Sequence, residues 1–210
     1  MTIVWTACAF LSGALMFSYW LGLLARHHLD HIGDGNPGAL NLWRAAGYRI
    51  GLAGIILDFL KGYLVLVWIL GFSLDTTRVQ GYALIPVALA PIVGHAFSPF
   101  LKGKGGKAIA VTFGVWSALT KFEASLALAV ILAVSVAVTK LATRGRPTSS
   151  SADGLQVVIG MLLLGVYLYI GGYVEAIMWV WLGNAVLIAY KHRKELAFYL
   201  TKKQPKTGGE

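Results

Sequence analysis

Two cationic, glycine-rich stretches interrupt an otherwise apolar chain: Gly33-Asp34-Gly35-Asn36-Pro37-Gly38-Ala39-Leu40-Asn41, and Gly94-His95 continuing to Lys102-Gly103-Lys104-Gly105-Gly106-Lys107. Glycine has no Cβ, so the N–H groups around it can converge on an anion, and interleaved lysines add the charge that a phosphate or carboxylate answers. The run from Lys102 to Lys107 carries more lysine and glycine than insertion topology needs and reads as an anion site. The loop from Thr143 to Ser151, with Arg144 and Arg146, reads equally as a flexible connector or as a helper in holding an oxyanion. Soluble phosphate motifs do not fit. A P-loop needs glycine at 101 and a hydroxyl at 108, where Leu101 and Ala108 stand, and no strand surrounds Gly103-Lys104-Gly105 to make it a dinucleotide turn. His27, His28 and His31 with Asp30 and Asp34 lack any fixed ligand spacing, so no metal and no cofactor is expected.

The elements that must position these loops are set by composition. With 57% hydrophobic and 13% charged residues and a mean hydropathy of +0.70, the chain is too apolar for an ordinary soluble domain and reads as an all-α polytopic membrane protein. Apolar runs at roughly 3–25, 50–72, 80–101, 108–120, 122–142, 154–171 and 173–190 predict about seven transmembrane helices in a single membrane-integral domain over residues 1–210. The run at 108–120 is short for a span, so six spans and a re-entrant segment is the alternative. The first run has no cationic segment before it and ends in Arg26-His27-His28, the pattern of an anchor rather than a cleaved signal. Cys8, the single cysteine, lies inside that run and reads as a buried hydrophobe.

Threading seven spans back and forth places Arg26, Arg44, Arg49, Lys102, Lys104, Lys107, Lys140, Arg144, Arg146 and the basic tail from Lys191 on one side, against Arg78 and Lys121 on the other. That asymmetry predicts the N-terminus outside, the C-terminus in the cytoplasm and both glycine-rich loops on the cytoplasmic face. The net charge of +9 is then a topology signal that also attracts anionic membrane lipids, and nucleic acid is excluded as a partner for want of a soluble module. Asp58 and Lys61 lie three residues apart on one helix face, at membrane depth, where isolated charges are costly; the pair is expected to neutralise itself and brace the site, with Lys61 beside the substrate as the alternative. Gly47-x-x-x-Gly51 permits close helix packing.

The order of Gly35-Asn36-x-Gly38-Ala39-x-Asn41 with Arg44, then Leu57-Asp58-Phe59-Leu60-Lys61-Gly62, then Gly94-His95 with Lys104-Gly105-Gly106-Lys107, and finally Tyr190-Lys191-His192-Arg193, resembles the bacterial acyl-phosphate:glycerol-3-phosphate acyltransferases over nearly the whole chain. The resemblance implies a seven-span inner-membrane enzyme with a cytoplasmic active site, active in phospholipid synthesis. It would move a fatty acyl group from acyl phosphate to the 1-hydroxyl of glycerol 3-phosphate, giving lysophosphatidic acid and phosphate, with an acyl-phosphate-producing enzyme as a partner. It further implies that Asn36, Arg44, Lys104 and Lys107 grip phosphate groups and that Gly35, Gly38, Gly105 and Gly106 allow close backbone approach. His95 and His192 would orient or relay a proton, which with Lys107 makes them the catalytic set, and Asp34 and Asn41 complete the substrate-binding loop. None of the five histidines is followed by Asp five residues on, as in soluble acyltransferases; the resembled family lacks that dyad too.

Departures from the family pattern are as specific as the matches. Asp34 stands for Ser, where a carboxylate repels a phosphate unless it is protonated or paired with Arg44 or a lysine. Leu40 stands for Thr, Ala108 for Gly and Glu195 for Asn, and Pro37 stiffens the loop. Two other function classes therefore stay open beside the acyltransferase: a diverged membrane transferase with a different acceptor, and a non-enzymatic lipid-binding or carrier protein on the same scaffold.

Overall fold

The computed structural model of the chain describes residues 1–72, 81–146 and 149–201. Arg78, Pro147, Thr148, Lys202, Lys203 and Lys206, which entered the topology and loop expectations, lie outside the described residues. Those described are helices and their connections, with no strand. The helices are α1 (Thr2–Ala14), α2 (Phe17–Leu24), α3 (Ala39–Phe72), α4 (Leu84–Ala96), α5 (Ile109–Thr120), α6 (Glu123–Ala142), α7 (Ser150–Ile170), α8 (Glu175–Lys191) and α9 (Arg193–Thr201).

Among the described residues, five stretches are long and apolar enough to cross a bilayer: Thr2–Leu24, Ala39–Gly71, Gly81–Leu101, Glu123–Ala142 and Ser150–Ile170. The runs expected at 108–120 and 173–190 form α5 and α8, of 12 and 17 residues. At 1.5 Å per residue α5 reaches only about 18 Å, short of a hydrocarbon core of about 30 Å.

Two other expectations are corrected by backbone geometry. The first apolar run is two helices rather than one, because Leu15 is extended (φ −62°, ψ 123°). The carbonyls this break frees are taken up from elsewhere in the fold: Ser98 Oγ donates to the Ala14 carbonyl at 2.7 Å, and Lys61 Nζ donates to that of Leu15. A break inside an apolar helix persists only where such partners exist. The second helix begins at Ala39 rather than near 50 and turns sharply at Gly47 (φ 83°, ψ 173°). Gly47 is thus a kink rather than a packing contact, and only Gly51 of the pair packs closely: a Cβ there would fall 2.5 Å from the Trp43 Cβ.

Close backbone approach joins the helices. A Cβ on Gly13 of α1 would lie 2.1 Å from the Pro91 carbonyl oxygen of α4, one on Gly94 would lie 2.3 Å from that of Phe10, and one on Gly114 of α5 would lie 2.1 Å from that of Phe59 in α3. Apolar transfer gives little attraction between helices in lipid, so small residues that let backbones meet supply the packing. One buried cluster joins α1, α3, α4 and α5 through Leu66, Ile69, Val87, Ile92 and Val111; a second joins α4 to α8 through Trp116, Leu128, Met161, Leu164 and Val180. Leu84, Leu89 and Leu119 touch both clusters, so the helices form one body. In α6 the side chains of Leu126, Val130, Val134, Val138 and Leu141 face outward, the surface a lipid-facing helix presents.

A Gly94→Val variant is expected to lower stability in detergent by about 2 kcal/mol or more, since α1 and α4 would have to separate. Gly71, with open space around it, is the control. Its change to Ala should be neutral or stabilising by up to about 1 kcal/mol, because alanine restricts the unfolded backbone. Thermal unfolding followed by near-UV circular dichroism reads both.

Candidate functional site

Four connections between distant parts of the sequence meet at one cleft of about 1080 Å³. The first is the loop before α3, which is bonded to itself. Asp34 Oδ1 accepts from the Asn36 amide at 3.2 Å and from Asn41 Nδ2 at 2.8 Å, while Asn41 Nδ2 also donates to the Asn36 carbonyl at 3.0 Å. Arg44 Nη1 then donates to Asn41 Oδ1 at 3.2 Å. Asn41 and Arg44 can do this because α3 begins early, which sets them one turn apart on its first face. Gly33 is required here twice over: its φ is +57°, and a Cβ would fall 2.7 Å from Asn41 Oδ1.

The second connection is the Lys102–Lys107 loop, laid directly on His95. The Gly106 amide donates to the His95 carbonyl at 3.1 Å. A Cβ on Gly105 would lie 1.9 Å from that carbonyl oxygen, and one on Gly106 would lie 2.3 Å from His95 Nε2. Beneath it sits a buried polar cluster: Lys61 Nζ is 2.9 Å from Asp58 Oδ1 and 2.7 Å from His95 Nδ1, and Ser18 Oγ donates to Asp58 Oδ2 at 2.5 Å. A lysine ammonium only donates, so Nδ1 accepts and the His95 proton resides on Nε2, against Gly106. From above, Lys191 Nζ donates to the carbonyls of Ala96 and Gly105 at 2.8 and 2.9 Å, 5.3 Å over the Phe97 ring.

The third and fourth connections, the start of α7 and the α8–α9 junction, close the cleft. Ser149 Oγ accepts from the Ala152 amide at 3.2 Å and caps α7, leaving Ser150 and Ser151 in the cleft wall. Across from them, Lys107 Nζ lies 2.6 Å from Asp34 Oδ2 and 2.5 Å from Glu195 Oε1. One ammonium thereby ties the first loop, the second loop and α9. Burial opposes charge on both Asp34 and Lys107, yet the contact between them outweighs it: hydrogen bonding and charge from Lys107, with Asn41 and Asn36, hold the Asp34 pKa below its ordinary 3.8, and Asp34 with Glu195 holds Lys107 above 10.5. The His192 ring is buried and donates from Nδ1 to the Ile188 carbonyl at 2.8 Å; burial dominates and lowers its pKa from 6.5.

Of the residues singled out in the sequence, Asp34, Gly35, Asn36, Arg44, Lys104, Gly105 and Lys107 line the cleft. Gly38, Asn41, Gly106, His95 and His192 stand behind that lining, with Asp58 and Lys61 deeper still. The sequence reading missed Glu195, Lys191 and Arg193 as cleft residues, while Ser150 and Ser151, from the loop read equally as a connector or an oxyanion helper, do line the cleft. Lys191 and Arg193 were absorbed into a topology signal, and Glu195 registered only as a departure from a pattern. Its position three residues after His192 was the available clue. The lining is cationic: Arg44, Lys104, Lys107, Lys191, Arg193 and Lys194 against Asp30, Asp34 and Glu195.

A family model described as glycerol-3-phosphate acyltransferase matches residues 3–202, across both loops and α9. The chain belongs to that family. It is 41% identical over 194 residues to glycerol-3-phosphate acyltransferase 1 of Thermotoga maritima, covering 91% of this chain and 94% of the relative. It is 31% identical over 198 residues to the glycerol-3-phosphate acyltransferase of an Anaeromyxobacter species, covering 92% and 90%. Its fold is similar to the crystal structure of PlsY, an integral membrane glycerol 3-phosphate acyltransferase, in the glycerol 3-phosphate form: TM-score 0.80, 24% identity, 99% of this chain and 96% of that one. The helical, membrane-integral architecture read from the sequence is therefore that of the acyltransferase family, and the two glycine-rich loops meet at the cleft of this chain.

Three shifted groups at the cleft, Asp34, Lys107 and His192, contribute to the pH dependence of stability in this acyltransferase family member. A depressed carboxyl stabilises above its unfolded pKa and loses that contribution as pH falls through the folded value, so the Asp34 contribution is intact above about pH 3.8 and is lost only below it. A raised lysine stabilises below its unfolded pKa and loses it only above about pH 10.5. His192, depressed by burial, contributes above pH 6.5 and loses that contribution as pH falls below it. Thermal stability is expected to fall between pH 7 and 5, with a shallower slope in His192→Gln and an unchanged slope in Asp34→Asn.

Proposed function

We propose that this protein transfers a fatty acyl group from acyl phosphate to the 1-hydroxyl of glycerol 3-phosphate, releasing lysophosphatidic acid and inorganic phosphate. The observation that carries this reading is the family match over residues 3–202, joined to a cationic cleft built from that match's own glycine-rich loops. The acceptor oxygen attacks the acyl carbon, the carbon–oxygen bond to phosphate breaks, and the hydroxyl proton leaves with the phosphate. Acyl phosphate carries its own good leaving group, so positioning and neutralisation of the departing charge are what the protein must supply.

In this reading Arg44, Lys104 and Lys107 bind phosphoryl oxygens, and Gly35 and Gly105 let the backbone approach them. Asp34, Asn36, Gly38 and Asn41 shape the first loop. His95 and His192 are positioning residues: His95 is enclosed behind Gly106 with Nδ1 engaged by Lys61, and His192 is tied to Ile188. Asp58 and Lys61 brace them. The case for a changed acceptor rested on several departures, Asp34 and Leu40 foremost; the 2.6 Å contact of Asp34 with Lys107 pairs that carboxylate and offsets its repulsion for a phosphate.

The topology goes with this assignment. Seven spans, with α1–α2 as the first and the short α5 and α8 among them, leave the N-terminus outside and the cleft on the cytoplasmic face of the inner membrane, favoured by its basic rim. There it meets a water-soluble acceptor and an acyl-phosphate-producing enzyme. Detergent-solubilised protein given palmitoyl phosphate and labelled glycerol 3-phosphate is expected to form lysophosphatidic acid, with Lys107→Ala slower by about 10²-fold or more. No product from the wild-type protein under conditions where it remains folded would refute the assignment.

A further inference from the structure

Lys107 meets both Asp34 and Glu195 at short distance, so its ammonium already has two anionic partners before any phosphate arrives. The two partners are held very differently. Asp34 is fixed on both oxygens, Oδ1 by Asn41 and the Asn36 amide, Oδ2 by Lys107. Glu195 is held on Oε1 alone. Its Oε2 is buried and has no hydrogen-bond partner among the described residues, although the residue as a whole is only 7% exposed. Burying a carboxylate oxygen unsatisfied is unfavourable, so Glu195 gains more than Asp34 from leaving its place against Lys107. Space for this arrangement is made by Gly154 of α7, where a Cβ would fall 2.8 Å from the Glu195 Cβ and 2.9 Å from its Cγ.

We propose that Glu195 is a specificity-determining residue that occupies the phosphoryl seat on Lys107 in the unliganded protein and is exchanged for a substrate phosphoryl group, while Asp34 stays and keeps the lysine aimed. This rests on the functional reading above. The exchange makes and breaks no covalent bond. A phosphoryl oxygen takes the position of Oε1, and the Glu195 side chain, on a helix packed mainly against α7, turns out toward the cleft water. Two consequences follow. Binding must displace an internal carboxylate, which lowers affinity for every phosphoryl ligand at this seat, and a ligand with one singly charged group, such as a carboxylate or a sulfonate, competes poorly with Glu195. The seat therefore selects for the dianionic phosphoryl group, supplied either by the acceptor or by the acyl phosphate donor.

The test is steady-state acyl transfer by wild-type protein and Glu195→Gln, with the KM of each substrate taken separately and inorganic phosphate as a competing ligand. Glu195→Gln is expected to lower the KM of one substrate by about three- to fivefold, the scale of one partly exposed ion pair, and to strengthen inhibition by inorganic phosphate in proportion. The substrate whose KM falls is the one seated at Lys107. Unchanged or raised KM for both substrates, with the variant as stable as wild type, overturns the proposal. A second measurement does not need turnover: hydrogen exchange of residues 193–201 in the wild-type protein should rise with inorganic phosphate but not with chloride at equal ionic strength, and no rise overturns the exchange. Wild-type protein that makes no lysophosphatidic acid yet shows this phosphate-dependent rise would sink the functional reading while leaving the seat intact.

Discussion

The buried pair of Asp58 and Lys61 is the constraint on which the rest of the site depends. Two charges within an apolar bundle are tolerated only when each finds its opposite and its remaining hydrogen-bonding capacity is used. Asp58 takes Lys61 and Ser18; Lys61 takes Asp58, the Leu15 carbonyl and His95 Nδ1. The pair itself lies in α3, and its other partners come from the α1–α2 break, α2 and α4. The break between α1 and α2 supplies the free carbonyl and sets Ser18 in place, and the end of α4 supplies the imidazole. Satisfying one ion pair thus fixes a helix break, a helix end and, through His95, the seat of a glycine loop.

From that base the polar chain runs outward to the cleft. His95 supports Gly105 and Gly106 so closely that no side chain fits at either, and Lys191 clamps the same loop from the other side through two carbonyls. A loop held on both faces presents Lys107 at a fixed place between Asp34 and Glu195. Rigid support behind a charged residue is what lets it act by position, since a preformed electrostatic environment need not reorganise when charge develops.

Much of this was legible in the sequence because it depends on local composition. Apolar run lengths gave the helical membrane class, glycine and lysine interleaving marked the two loops, and the three-residue spacing of Asp58 and Lys61 put them on one helix face. What was not legible depends on which atoms meet across the bundle. Nothing in the run from Ile3 to Ala25 announces a break, because the partners that stabilise it, Ser98 and Lys61, are distant in the sequence. The resemblance gave His95 the role of orienting or relaying a proton, and the fold encloses it; Glu195 read as a lost or inverted contact and touches the central lysine.

The sequence by itself determined that this chain is a helical membrane protein carrying two glycine- and lysine-rich loops in the order of the acyltransferase family, since hydropathy, glycine content and motif order are properties of neighbouring residues. The tertiary structure alone decided which of those residues face the cleft and which stand behind it. The physical reason is that pairing in a low-dielectric interior is set by distance in space. Asp34, Lys107 and Glu195 are widely separated in the chain, and only the packed fold brings their charges to within 2.6 Å of one ammonium.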